Sequence, residues 1–426
     1  MGPGAGCGPS VPVTSAPRRV VEAGTAVMVL SAPISISGTQ LGLAVALLGA
    51  LWGWREAAPP PRTAIDAPLL AFIGVTVVSA LASDAPGVAV PRIAAIWTAL
   101  TLYLVAGWFR DAARLERFLL LLVAAALPFG AYGIVQHFTG VNLFGSGGAM
   151  HSLVLGERLI FFPRGGFSHY QTFANVYFVV FCLACGLAAA AEDRRDRALR
   201  AGAAVFLAVV VVFTFTRGIW IALLAALAIL AWVFARRAAT ALAVAGALVV
   251  AALLVVPSSL RTRAVSMTDL GTNVERLLLW ETAWNMVRDR PVLGVGIGNF
   301  RAAQDAYVRE AVPLVMTRTH AHNVWLQVAV ERGVLGVLAL LWLFLALLGA
   351  ARRAVGDRAA RRRERALAAG ALAAVVGLLL DGLVQNNFGD SQVAFCLWLV
   401  AGVIAVCARG GAQGEASPGA VAEAAA

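Results

Sequence analysis

The side chains best suited to chemistry in this sequence are few, and they gather at the borders of apolar runs. The five histidines are His137, His151, His169, His320 and His322, and all are expected at or near one boundary of the bundle once the apolar runs are threaded in order. His322 opens the run HNVWLQVAV, and an imidazole there, with an ordinary pKa close to neutral, suits a general base that takes a proton from a hydroxyl. The plainer reading is a helix-capping or interfacial histidine. His320 and His322 form an H-x-H, yet no partner Asp or Glu lies at ligand spacing, so no metal is expected. Arg217 opens another apolar run beside Gly218, and Arg276 follows Glu275 and precedes Glu281. Guanidinium groups grip phosphate through two parallel hydrogen bonds and keep their charge, so this pair is expected to hold a phosphorylated group. The alternatives are snorkelling to head groups for Arg217 and, for Arg276, an exposed ion pair worth under about 1 kcal/mol. In LGVGIGNF, Gly294, Gly296 and Gly298 form either a plain turn or a phosphate cradle. Cys182 and Cys185 make a CxxC inside an apolar run and read as small hydrophobes.

The elements that must position these residues are membrane helices. With 60% hydrophobic and 13% charged residues and a mean hydropathy of +0.81 over 426 residues, the chain exceeds what a soluble core needs. A spanning helix takes about 20 apolar residues. Such runs are expected near 20–36, 39–54, 68–83, 88–108, 117–138, 169–191, 199–215, 218–235, 238–256, 322–350, 366–386 and 391–408, nearly free of charge at midspan. The organisation expected is a cytoplasmic tail at 1–19, nine spans over 20–256, a long loop at 257–321, three spans over 322–408 and a disordered tail at 409–426. Nothing before Gly24 resembles a cleaved signal. The net charge of +11 reads as topology, not as nucleic-acid binding, because arginine clusters such as Arg194, Arg195, Arg197 and Arg200, or those from Arg352 to Arg365, fall on one side when the spans are threaded in order. That side is expected to be the cytoplasm. The loops at 139–168 and 257–321 then lie outside, the second with an amphipathic helix whose Leu277, Trp280, Trp284 and Val287 rest on the membrane or cap a cavity.

The stretch HNVWLQVAVERGVLG from His322 resembles the H-[NSQ]-x9-G-x-x-G signature of the O-antigen ligase and polymerase superfamily. FTFTRGIW around Arg217 is similar to its Ser-Arg-Gly element, with Thr216 where Ser is usual. NVERLLLWETAWNMVRDRPVLGVGIGNF is similar to its late loop, with an Arg, a Trp and a P-x-L-G-x-G turn. The likeness runs from about His137 to Trp398, and the first four spans match in hydropathy alone. It implies an all-α polytopic membrane protein of about 12 transmembrane helices, GT-C-like, in the bacterial inner membrane. The implied activity is metal-independent, cofactor-free and inverting transfer of a glycan from an undecaprenyl pyrophosphate carrier to an acceptor at the periplasmic face.

On that likeness the catalytic residues are His322, Arg217 and Arg276, with Asn323, Gly294, Gly296, His169 and Asp381 binding substrate. Asp381 with Gln385, Asn386 and Asn387 would contact sugar hydroxyls, or equally form the wet end of a helix. Ligation to a lipid A-core glycolipid is the leading reading. Polymerisation onto a second lipid-linked glycan and protein O-oligosaccharyl transfer are the alternatives inside the superfamily, and a polysaccharide transporter or flippase is the alternative outside it. No nucleic acid is expected as a partner.

Overall fold

A computed structural model describes residues 15–54, 61–109, 111–144, 150–155, 158–234, 274–308 and 319–414. The chain is an all-α polytopic membrane protein. Two helices, α1 (Ala16–Ser31) and α2 (Ile36–Trp52), form a hairpin. Their crossing is tight because glycines face backbone: a Cβ on Gly24 would stand 2.3 Å from the Ala46 nitrogen, and one on Gly42 2.2 Å from that of Met28. Next come α3 (Asp66–Leu81) and a continuous helical rod from Pro86 to Trp108. Pro91 lies inside that rod, and its middle tightens to a 3-10 stretch over Ile93–Ala99 between α4 (Pro86–Arg92) and α5 (Leu100–Trp108).

The long α6 (Ala112–Thr139) leads to a short antiparallel hairpin, β1 (Ser152–Leu155) with β2 (Arg158–Phe161). This hairpin occupies a loop with no sequence-based expectation of strand. Then follow α7 (Tyr170–Ala190), α8 (Arg194–Phe213) and α9 (Arg217–Phe234). Beyond them lie α10 (Val274–Asp289), the short α11 (Phe300–Ala303), α12 (Val324–Gly356), α13 (Arg362–Gly382) and α14 (Ser391–Gly414).

Among the described residues seven helices are long and apolar enough to cross a bilayer: Pro86–Trp108, Ala112–Thr139, Tyr170–Ala190, Arg217–Phe234, Val324–Gly356, Arg362–Gly382 and Ser391–Arg409. Ile36–Trp52 and Asp66–Leu81 are apolar but shorter. The expected spans at 20–36 and 199–215 overlap α1 and α8, which are helical but are not among the helices long and apolar enough to cross a bilayer, whereas the one at 238–256 lies outside the described residues. Helix α1 begins before Arg18 and Arg19, and α14 runs on to Gly414, past the expected start of the tail. Helices α7 and α13 pack closely, since a Cβ on Gly370 would sit 2.5 Å from the Cys182 oxygen and one on Gly186 2.8 Å from that of Ala366. Cys182 is fully buried in this seam, where a small apolar side chain fits.

The first third of α12 carries a charge pair that the sequence reading did not single out. Glu331 and Arg332 are buried inside α12 and paired at 2.8 Å. Arg332 also donates to the Thr76 hydroxyl at 2.9 Å and lies over the Phe72 ring. An ionisable pair is tolerated in an apolar bundle when both partners are satisfied in this way.

Candidate functional site

Helix α12 does not begin at His322. It begins at Val324 with Asn323 as its N-cap, whose Oδ1 accepts from the Leu326 nitrogen at 3.0 Å while Nδ2 donates to the Leu383 oxygen at 2.9 Å. Asn323 thus ties the start of α12 to the end of α13. His322 stands just ahead of the cap with φ +49°. A left-handed backbone at a residue with a full side chain is costly, of order 1–3 kcal/mol, and such positions gather at functional sites. Among the described residues one other non-glycine position shares it: Phe215 at φ +56°, two residues before Arg217.

The His322 side chain is fixed from two directions. Its Nδ1 meets Gln385 Oε1 at 3.0 Å, and its ring lies edge-on to that of His320 with centroids 4.3 Å apart. The preceding residue, Ala321, is fully buried in a cluster with Leu279, Ala283 and Met286 of α10. Its oxygen accepts from Trp280 Nε1 at 3.0 Å, and its nitrogen donates to Gln327 Oε1 at 2.8 Å. Helix α10 therefore holds the histidine loop down. Its buried face is Leu279, Ala283 and Met286, while Leu277 and Trp284 of the expected apolar stripe are about half exposed.

His320 and His322 border a cavity of about 410 Å³, with His169, Asn175, Gln385 and Asn387 in its walls. His169 caps α7, its Nδ1 accepting from the Gln171 nitrogen at 3.2 Å, and its ring stacks on that of Tyr170. Thr172 and Asp390, which the sequence reading did not single out, also line the cavity and hydrogen-bond to each other. Asp390 further accepts from the Gln392 nitrogen at the start of α14 at 2.8 Å, so it is both cap and wall.

Asp381 lies fully buried behind this wall. Its Oδ2 accepts from Asn387 Nδ2 at 3.2 Å, while its Oδ1 has no hydrogen-bond donor among the described residues. Elements that carry two of the expected arginines approach it. A Cβ on Gly218 would sit 2.3 Å from Asp381 Oδ1, so the helix that opens with Arg217 packs against the carboxylate, and Arg276 of α10 is within electrostatic reach of it. The structure thus brings His322, His169, Arg217, Arg276 and Asp381 to one end of the bundle.

Gly294 and Gly296 stand apart from the cavity lining. Both have left-handed φ, +66° and +92°, and their loop clamps a break in α12 at Gly333, where φ is +63° and ψ −165°. The Val295 and Gly296 nitrogens donate to the Val330 and Glu331 oxygens at 2.8 and 3.0 Å, and the Val334 nitrogen donates to Pro291 O at 2.8 Å. The Gly298 nitrogen donates to Glu331 Oε1 at 2.9 Å. These N–H groups serve the chain itself, where the cradle reading would have them face phosphate. Contact explains the residue type: a Cβ on Gly333 would stand 2.1 Å from Val292 O, and one on Gly294 2.3 Å from Val330 O.

A family model described as O-antigen ligase matches residues 202–341, the segment that carries Arg217, Arg276, the glycine loop and His322. No curated protein matches the chain. The match supports ligase- or polymerase-type activity in general, and residues 202–341 are similar to the O-antigen ligase family.

Proposed function

We propose that the protein moves a glycan from a polyprenyl pyrophosphate carrier to an acceptor hydroxyl, with His322 as general base and Arg217 and Arg276 as the pyrophosphate clamp. The observation that carries this reading is a polar cavity lined by His322, His320 and His169, with Asp381 buried near it where the helix that opens with Arg217 packs and Arg276 lies within electrostatic reach. With Gln385 Oε1 accepting from His322 Nδ1, the other ring nitrogen, Nε2, is the basic one. It takes the proton from the acceptor hydroxyl as that oxygen bonds to the anomeric carbon. The bond from that carbon to the pyrophosphate oxygen breaks on the opposite face, and its electron pair leaves with the pyrophosphate. The stereochemistry inverts, and fixed guanidinium charges stabilise the leaving group.

Amide and hydroxyl side chains such as Asn175, Gln385, Asn387 and Thr172 suit a sugar ring, which both donates and accepts hydrogen bonds. The reading includes a GT-C-like bundle of twelve spans in the inner membrane with the cavity on the periplasmic side and a lipid A-core acceptor. It requires neither nucleotide triphosphate nor divalent metal, because the donor is already activated and the arginines supply the positive charge. The test is reconstitution of the whole chain with a lipid-linked glycan and, separately, lipid A-core. Transfer to lipid A-core that persists in chelator supports the reading. Elongation of the lipid-linked glycan with no transfer to lipid A-core would make the protein a polymerase, and activity lost in chelator and restored by magnesium would end the metal-free mechanism.

A further inference from the structure

The peptide units on either side of Ala321 are both held, and His322 follows them directly. The Ala321 oxygen accepts from Trp280 Nε1 at 3.0 Å, and its nitrogen donates to Gln327 Oε1 at 2.8 Å. The Asn323 cap fixes the chain on the far side of the histidine. Between these anchors His322 keeps its left-handed φ of +49°, a conformation that persists only where its surroundings over-determine it. Gln327 is buried, and its Nε2 donates to Glu331 Oε1, one turn further along α12, at 2.8 Å. That second bond sets which way round the amide sits. An ion-paired carboxylate offers acceptors alone and a backbone N–H a donor alone, so the amide nitrogen must face Glu331 and the amide oxygen Ala321. The carboxylate is itself fixed by two further donors. The Gly298 nitrogen reaches its Oε1 at 2.9 Å and Arg332 Nη1 its Oε2 at 2.8 Å, while Arg332 Nε donates to the Thr76 hydroxyl at 2.9 Å.

We propose that Gln327 and Glu331 are positioning residues for His322, the Glu331 carboxylate acting through the Gln327 amide on the Ala321 peptide. The inference rests on His322 being the base of the proposed transfer. Neither residue is among the described residues that line the cavity, so their effect on the reaction passes through the backbone ahead of the histidine. The Asn323 cap is enough to start α12. What the relay adds is a fixed peptide on the other side of the strained residue, held by a bond to a carboxylate that is about twice as strong as one between neutral groups. Rotation of that peptide would carry the imidazole off Gln385 and away from the cavity, and a misplacement on the order of 1 Å can cost about 10²-fold in rate.

The experiment uses the whole chain in nanodiscs and reads amide hydrogen exchange over residues 320–323, donor binding and single-turnover transfer. Gln327→Met keeps the side chain's length and removes both bonds. It should speed exchange by about ten-fold, the weight of one buried hydrogen bond, and slow transfer by about 10- to 10²-fold with donor binding unchanged. Glu331→Gln keeps the shape but no longer accepts on both oxygens, so it should move exchange and transfer the same way by less. It should add nothing in the double variant Q327M/E331Q, because Glu331 acts through that amide. Ser79→Ala releases the Leu293 and Glu331 carbonyls without touching Gln327, and should leave exchange over 320–323 and transfer at wild-type levels. Unchanged exchange in Gln327→Met, additive losses in the double variant or an equal loss in Ser79→Ala would overturn the proposal. So would faster exchange with wild-type transfer where His322→Ala is inactive. If His322→Ala also transfers at the wild-type rate, the base reading falls and the hold on the His322 loop stands on the exchange alone. Should Gln327→Met fail to fold, Glu331→Gln carries the test, and unchanged exchange in it would overturn the relay.

Discussion

The two ends of the helical bundle handle polarity in opposite ways. At the arginine-rich end, charges are paired with one another: the nearly buried Glu116 carboxylate bridges Arg200 and Arg363, Arg200 also holds Asp196 at 2.6 Å, and Glu22 meets Arg114 at 2.9 Å. At the other end, the walls are amides, hydroxyls and imidazoles around a cavity, and buried oxygens of Asp381 and Asn387 have no donor among the described residues. A closed ion-pair network contributes to folding and offers a ligand little. An acceptor on a residue that lines a polar cavity, as Asn387 does, is what a hydroxyl-bearing substrate completes. The difference teaches that the number of charges at a membrane protein's end is a poor guide to where its chemistry sits.

The largest effect that can break this comparison is at His322. Replacing His322 by Ala should lower single-turnover transfer by about 10² to 10⁴ while leaving donor binding intact, the usual contribution of a positioned general base. A near wild-type rate would remove the base assignment. Glu116→Gln should do the reverse. It leaves Arg200 and Arg363 without their shared carboxylate, so stability should fall by about 3 kcal/mol, read by thermal or denaturant unfolding. Transfer per folded molecule should be unchanged.

Arg217→Ala or Arg276→Ala should weaken both donor binding and turnover, each by about 10- to 10²-fold, since each removes a charge-assisted contact of about 1.5–3 kcal/mol. Lys at either position should restore only part, because an ammonium lacks the planar fork. Variants that bind and react normally would place the pyrophosphate elsewhere. The smallest effect sharpens the contrast within the site end itself. Arg290 pairs with Asp84 at 2.7 Å where both are largely exposed, so Arg290→Ala should change stability by under about 1 kcal/mol and leave transfer unaltered.

Parts of this arrangement are legible in the sequence for plain reasons. Apolar runs of membrane length locate the helices, and the motif from His322 to Gly336 locates the histidine. The physical purpose of that motif is less visible. Asn323 reads as a substrate contact, and its role as a helix cap is not visible in the motif; Gly333 marks a break in α12 whose backbone groups are satisfied by a loop some forty residues earlier. Pairing across that distance leaves no periodic trace. Glu331 and Arg332 lie inside an otherwise apolar run, a signal for a buried functional or structural pair that could have been read. Helix α10 carries apolar residues on two faces, so periodicity alone selects the tryptophan stripe, while packing buries Leu279, Ala283 and Met286. The hairpin at 152–161 is too short to give a strand pattern. Asp390 and Thr172 enter the cavity only because α7 and α14 start side by side, a juxtaposition that no local spacing encodes.

The most direct measurement of the central claim is photo-crosslinking of a lipid-linked glycan donor that carries a diazirine on its first sugar, with the labelled peptides mapped by mass spectrometry. The proposed site predicts label on the segments around His169 to Asn175 and Gln385 to Val393, competed by unlabelled donor and retained in the His322→Ala variant. Competed label confined to the arginine-rich end, around Glu116, Arg200 and Arg363, would contradict it.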